Sequence, residues 1–448
     1  MHLPEKIVLW LLFVATLAGT SNMGYSQARP LSGSDVPQIY ERLLPEIEQI
    51  PIFDHHAHPG FYDDPDVDAM ASPPGGSSAL RQRDTNPELV AAAKSLFGYP
   101  YDDFSPEHAK WLSAKKAELR KTLGQAYFDN ILDKLNIEQG VANRAMMADY
   151  LDPKRFVWVF FADSFMWPFN NAHEAARNPD EAVYIPLQEK MLYRWMAQEG
   201  VAKLPATFAD YLAFITHTLE DNKKKGGIAE KFEVSYFRTL KFGDPSRADA
   251  QAIYGKYVRS GVPGEAEYRT FQDYIFRYLI REGGRLHLPV HIHTAGGIGD
   301  YFNMSEGNIF NLENVLRDPR YASTTFVMIH GGYPYERQAI WLASAKNVYM
   351  DSSLMEMVMY PAAMKDTLKQ WLETFPDKIT FGTDCFPYNE VLGAEESYWL
   401  GVQTTRTALA AALAEMISEG EISEVQALEL ARGFLHDNAV ALYGGRVH

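Results

Sequence analysis

Apolar residues fall in short, nearly continuous runs, separated by longer stretches in which they recur every three or four positions. The first run, Ile50 to Gly60 (IPIFDHHAHPG), reads as an apolar strand that breaks into a polar turn. Seven more strand-like runs follow at Gly140–Met147, Phe156–Ala162, Gly227–Tyr236, Leu288–Thr294, Thr325–His330, Asn347–Ser352 and Lys378–Asp384. Helical spacing is read at Pro37–Ile50, Thr207–Glu220, Glu265–Glu282 and Glu336–Ala345, with two closing helices at Thr404–Gly420 and Ser423–Tyr443. Eight strands alternating with helices predict a parallel α/β barrel, the (β/α)8 or TIM-barrel class. Between the first two strands, residues 63–78 are rich in Asp, Pro, Gly and Ser and predict a mobile loop. Helical spacing from Pro87 to Leu135 then makes about 63–135 an insertion, which the sequence leaves open as a lid or a dimer contact.

The extreme N-terminus follows a different pattern. Lys6 precedes an apolar run from Ile7 to Gly19, and small residues stand at Ser26 and Ala28. The run is short for a bilayer span of about 20 residues, so residues 1–28 are expected to be a cleaved export signal. This predicts a periplasmic or secreted protein, residues 29–448, formed as one barrel domain without a stable membrane insertion. With 448 residues, 46% of them hydrophobic, the chain has material for a large core. Its formal charge of −16 disfavours nucleic acid and anionic membranes as partners and leaves small molecules as the expected ligands. Homo-oligomerisation is left open. The only cysteine, Cys385, excludes an intramolecular disulfide and reads as a packed thiol.

Histidine is scarce, with thirteen residues, so chance placement gives only about 0.4 H-x-H pairs. Two occur: His56 and His58 end the first strand, and His291 and His293 end the fifth. Residues two apart on a strand share a face, so each pair can aim two imidazoles into one space. His330 ends the sixth strand before a Gly-Gly turn, and Asp384 ends the eighth. The C-terminal ends of barrel strands surround one mouth, where catalytic groups gather. Imidazoles with a carboxylate suit a divalent cation, zinc foremost, with Mn2+, Fe2+, Co2+ or Ni2+ as alternatives. Such a cation would lower the pKa of a bound water toward about 7, with Asp384 as its proton acceptor.

The segments DHHAHP, HIHTAGG, MIHGGYP and FGTDCFP resemble the metal-site segments of the amidohydrolase superfamily, more narrowly its amidohydrolase-related branch, which also holds decarboxylases and lactonases. The likeness runs from about Ile50 to the closing NAVALYG segment. The resemblance implies His56, His58, His293, His330 and Asp384 as metal ligands, Asp384 also as proton carrier, and His330 as a catalytic residue. In two-metal members a carboxylated lysine from the fourth strand bridges the ions, and Lys231 stands at that position. A salt bridge or a strand-end surface position is the other reading of Lys231, so one or two ions remain open. Tyr236 and Arg238, which follow the fourth strand, are candidates for substrate binding, Arg238 as a carboxylate clamp; a surface ion pair is its alternative. His55 and His291 are expected to pack or to hydrogen-bond behind the ligands, Asp54 to anchor its strand end, and His108 to be ordinary. Hydrolysis of a C–N or C–O bond is the leading expectation. Decarboxylation or hydration on the same scaffold, and a non-catalytic binding protein, are the alternatives.

Overall fold

The computed structural model describes residues 35–68, 78–294 and 296–443. The expected signal, residues 1–28, and most of the 63–78 loop lie outside the described residues. All eight apolar runs are strands: β1 (Ile52–Ala57), β2 (Ile137–Asn143), β3 (Phe156–Phe161), β4 (Gly227–Phe232), β5 (Val290–His293), β6 (Phe326–Ile329), β7 (Val348–Asp351) and β8 (Ile379–Thr380). They pair in parallel in sequence order. Backbone bonds draw β1 against the segment after β8: His55 N–H donates to Phe381 O at 2.8 Å, and Asp384 N–H to His56 O at 2.8 Å. The result is a nearly closed (β/α)8 barrel, whose strands are apolar on both faces because helices cover the outside.

Several boundaries differ from the expected ones, each for a local reason. β2 starts earlier, where Ile137 pairs with Ile52, and stops at Asn143, after which Arg144 turns its guanidinium to Pro59 O and Asp64. β4 ends at Phe232 and gives way to a 3-10 turn at Val234–Tyr236. β8 is only two residues long, because the chain after Phe381 bends across to β1 and Asp384 adopts a left-handed φ of 50°. The Glu336–Ala345 helix is one α turn, Glu336–Ala339, followed by a 3-10 stretch.

The insertion is three helices, Pro87–Phe97, Pro106–Leu123 and Ala126–Leu135. The first is started by Asn86, whose side chain accepts from Glu88 N–H, and stopped by Gly98 at φ 67°. The insertion is fixed to the long helix Ala394–Ser418: Lys116 pairs with Glu396 at 2.6 Å, and Tyr127 donates to Glu395 at 2.5 Å. The chain closes with Glu424–Arg432, a π turn and the short helix Asn438–Tyr443. Ala439 and Tyr443 of that helix pack with Phe53, Val141, Val159 and Ala229 of β1 to β4, plugging the N-terminal end of the barrel. Among the described residues, no helix is long and apolar enough to cross a membrane.

Candidate metal centre

The mouth of the barrel brings together the residues that the motifs single out. From β1, His56 Nε2 lies 3.2 Å and His58 Nε2 3.6 Å from the same Asp384 oxygen, Oδ1. Asp54 secures this junction by accepting from Thr383 N–H at 2.9 Å and Thr383 Oγ1 at 2.6 Å, the anchoring position expected of it. Burial pushes the Asp54 carboxyl up to about 7. From β4, Lys231 is fully buried, with Nζ 3.4 Å from His56 Nε2 and 3.7 Å from Glu233 Oε1. Its surface alternative is thereby removed.

His293 and His330 face each other from β5 and β6, with His330 Nε2 3.1 Å from His293 Nδ1. Their outer nitrogens fix both tautomers. His330 Nδ1 lies 3.1 Å from Ser353 O, and His293 Nε2 lies 2.9 Å from Gly296 O. A carbonyl can only accept, so Nδ1 of His330 and Nε2 of His293 carry the protons. The two nitrogens 3.1 Å apart then both present lone pairs, with no hydrogen between them. Such a pair calls for an electrophile, and outer hydrogen bonds to carbonyls are how metal-binding imidazoles are oriented. His330 holds its position with φ 67°, on a turn completed by Gly331 and Gly332. A Cβ on Gly331 would stand 2.4 Å from the Trp371 ring, which restricts that position to glycine.

Electrostatics favours neutral imidazoles. Burial, and after it the Lys231 charge, depresses His56 and His293 well below the usual histidine range; His330 is depressed by burial and then by His293. Burial lowers His58 to about 4. Asp384 is raised well above the usual carboxylate range, again by burial first. Among the described residues, two donor groups have their ligand atoms within 4.8 Å of one another: His56, His330 and Asp384, and His58, Asp68 and Glu233. Neutral imidazoles, a carboxylate and the facing lone pairs fit a divalent cation, with His56, His58, His293, His330 and Asp384 as the residues that would hold it.

Behind this layer lies another. His55 Nδ1 donates to Asp351 Oδ2 at 2.9 Å, which leaves His55 Nε2 to accept from Tyr443 OH at 2.9 Å. The Tyr443 oxygen in turn accepts from His291 Nε2 at 3.0 Å. Thus His55 and His291 hydrogen-bond behind the ligands, while Asp351 also accepts from Ser353 N–H at 3.1 Å, beside His330.

A cavity of about 230 Å³ opens onto the mouth, lined by His58, His293, His330 and Asp384 and by residues from the surrounding loops. Tyr236 lines it, its ring centroid 4.6 Å from that of His293. Arg238 does not. Its guanidinium turns away to Asp273 at 2.6 Å and Gln272 at 3.2 Å and lies over Phe242, so it ties the loop after β4 to the helix Glu265–Leu286. The expected carboxylate clamp is therefore replaced by a buried ion pair, and the surface alternative fails as well. Sequence reasoning missed Asp68, Tyr184, Glu233 and Tyr388, all on the cavity wall. Glu233 had a signal, two positions after Lys231; Asp68, in an Asp-rich loop, had none. His108 stacks on Tyr101 far from the mouth and pairs with Asp103.

Comparison with known proteins bears on the family and the fold. The family described as amidohydrolase matches residues 249–445, which contain β5 to β8 with the HIHTAGG, MIHGGYP and FGTDCFP segments, and so supports the amidohydrolase resemblance. Protein fluG of Emericella nidulans is 29% identical over 159 residues, 35% of this chain but only 17% of that protein. Among solved structures, a Lactobacillus casei protein assigned as a metal-dependent hydrolase superposes with a TM-score of 0.59 at 17% identity, covering 90% of this chain and 97% of that one. Uronate isomerase of Thermotoga maritima gives 0.57 at 12% identity (91% and 97%), and glucuronate isomerase of Caulobacter crescentus 0.55 at 13% (92% and 95%). At these identities the structures establish a shared fold, one used by both hydrolases and isomerases.

Proposed function

We propose that the protein is a metal-dependent hydrolase that cleaves a C–N (amide-like) or C–O (ester or lactone) bond of a small molecule, acting outside the cytoplasm. The observation that carries the metal requirement is the pair of lone pairs on His293 and His330, fixed by two backbone carbonyls. A divalent cation held there, zinc foremost, supplies Lewis acidity and makes water acidic near neutral pH.

The chain's own residues do the rest. His56 and His58 place their Nε2 atoms 3.2 and 3.6 Å from Asp384 Oδ1, so these three would hold the cation together. Asp384 lines the cavity with its proton affinity raised by burial, so it can take a proton from water and return it to the leaving nitrogen or oxygen. His330, tied through Nδ1 to Ser353, keeps Nε2 free of a proton. Burial, and after it the Lys231 charge, keeps the His56 and His293 imidazoles neutral. Tyr236 closes one wall and limits water.

The test is turnover of zinc- or manganese-loaded protein on N-acyl amino acids, dipeptides and lactones in isotopically labelled water. Hydrolysis places one labelled oxygen in the acid product. Isomerisation would leave the substrate mass unchanged, and decarboxylation would release CO2; either result replaces the hydrolase reading.

A further inference from the structure

Once the metal-site residues are accounted for, the cavity wall has a marked charge asymmetry. Asp68 and Glu233 lie beside His58, whose Nδ1 is 3.5 Å from Asp68 Oδ2, and the ligand atoms of the three fall within 4.8 Å of one another. Glu233 is placed rigidly: its N–H donates to both oxygens of the buried Asp163, at 2.8 and 3.0 Å. Its side chain is only 4% exposed, with one oxygen facing Lys231, Oε2 meeting no donor from the rest of the protein, and the Asp68 carboxyl beside it. Two buried carboxyls side by side are costly to ionise unless a cation meets them.

No lysine or arginine lines this cavity among the described residues. The neighbouring stretch 69–77 reads AMASPPGGS and residue 295 is alanine, so neither brings a cationic side chain. Lys231 lies beneath the wall between His56 and Glu233, and Arg238 is spent on Asp273. Around the two carboxylates stand Tyr184, Tyr236 and Tyr388, whose ring faces attract cations.

We infer that the wall formed by Asp68, Glu233 and the tyrosines is a subsite for a substrate ammonium group, so that the enzyme acts on amine-bearing small molecules. This rests on the hydrolase reading for what happens next to the subsite, but not for the subsite itself. Because Asp68 and Glu233 cluster with His58, the ammonium sits near the reacting bond rather than at the end of a long tail. The same wall disfavours substrates with a carboxylate at this position, since no cation is there to receive it.

The experiment compares n-pentylamine, an ammonium ion at pH 7, with its neutral isostere 1-pentanol, by titration calorimetry on metal-loaded and on chelator-stripped protein. The amine is expected to bind about tenfold tighter than the alcohol, or more, in both states. Glu233→Gln should bring the two within about threefold of each other, and Asp68→Asn should reduce the difference in the same direction, with 1-pentanol affinity retained as the sign of an intact fold. Equal binding of amine and alcohol in the native protein overturns the inference. So does an amine preference that survives in Glu233→Gln, or a second metal ion per chain that Glu233→Gln removes and that excludes the amine. Because the stripped protein needs neither metal nor turnover, failure here is distinct from failure of the hydrolase reading, which shows only in the labelled-water experiment.

Discussion

Two layers of histidine occupy the barrel, one behind the other, and β5 contributes to both. At the mouth, His293 and His330 present facing lone pairs with no proton between them, next to His56, His58 and Asp384. In the layer behind, every shared contact has one donor and one acceptor: His55 gives to Asp351, Tyr443 to His55, and His291 to Tyr443. The same residue type in one H-x-H motif thus serves two ends. The contacts that link the rear layer are satisfied within the protein, although His291 Nδ1 has no hydrogen-bond partner; the facing pair at the mouth is satisfied only by a cation. Backbone strain follows the same division, since His330 and Asp384, both with positive φ, belong to the mouth. Such positions cost about 1–3 kcal/mol each and persist where function needs them.

The contrast can be broken most forcefully at β1. Replacing His56 and His58 together by Ala should abolish stoichiometric metal binding and activity, read by elemental analysis and turnover; retention of metal would mean that the donors lie elsewhere. Next in size is Asp384→Asn, which keeps the shape but removes basicity. Turnover per bound metal should fall about 10²–10⁴-fold. A variant fully loaded with metal and within about threefold of wild type would reduce Asp384 to a ligand. The rear layer should behave differently. Tyr443→Phe leaves His55 Nε2 and His291 Nε2 without their shared hydroxyl, so it should lower stability by about 1–3 kcal/mol in urea unfolding while metal stoichiometry is kept. Loss of the metal instead would erase the distinction between the layers. Smallest of all is His108→Ala, remote from both, with metal content and turnover unchanged; a substantial loss in either would place a functional contact outside the barrel mouth.

The mouth was legible in the sequence because its signals are local. Scarce histidines at a spacing of two, at the ends of apolar runs, report their own side of the strand, and the Gly-Gly after His330 marks the turn that holds it. The anchoring of Asp54 and the burial of Lys231 follow from strand position in the same way. What escaped depends on distant partners. Arg238 looks like a clamp until Asp273, on a helix 35 residues later, takes its guanidinium. Asp68 joins Glu233 and His58 only because the loop after β1 folds back over the mouth, which no periodicity encodes. The shortness of β8 is likewise invisible in FGTDCFP, because the left-handed turn at Asp384 is imposed by bonding across to β1.

The most direct test of the central claim is the metal content of the unaltered protein. Purified after expression with zinc and manganese available, stripped of loosely bound ions and analysed by elemental mass spectrometry, it should retain at least one transition-metal ion per chain. A protein that retains none, while folded and with its histidines intact, would contradict the account.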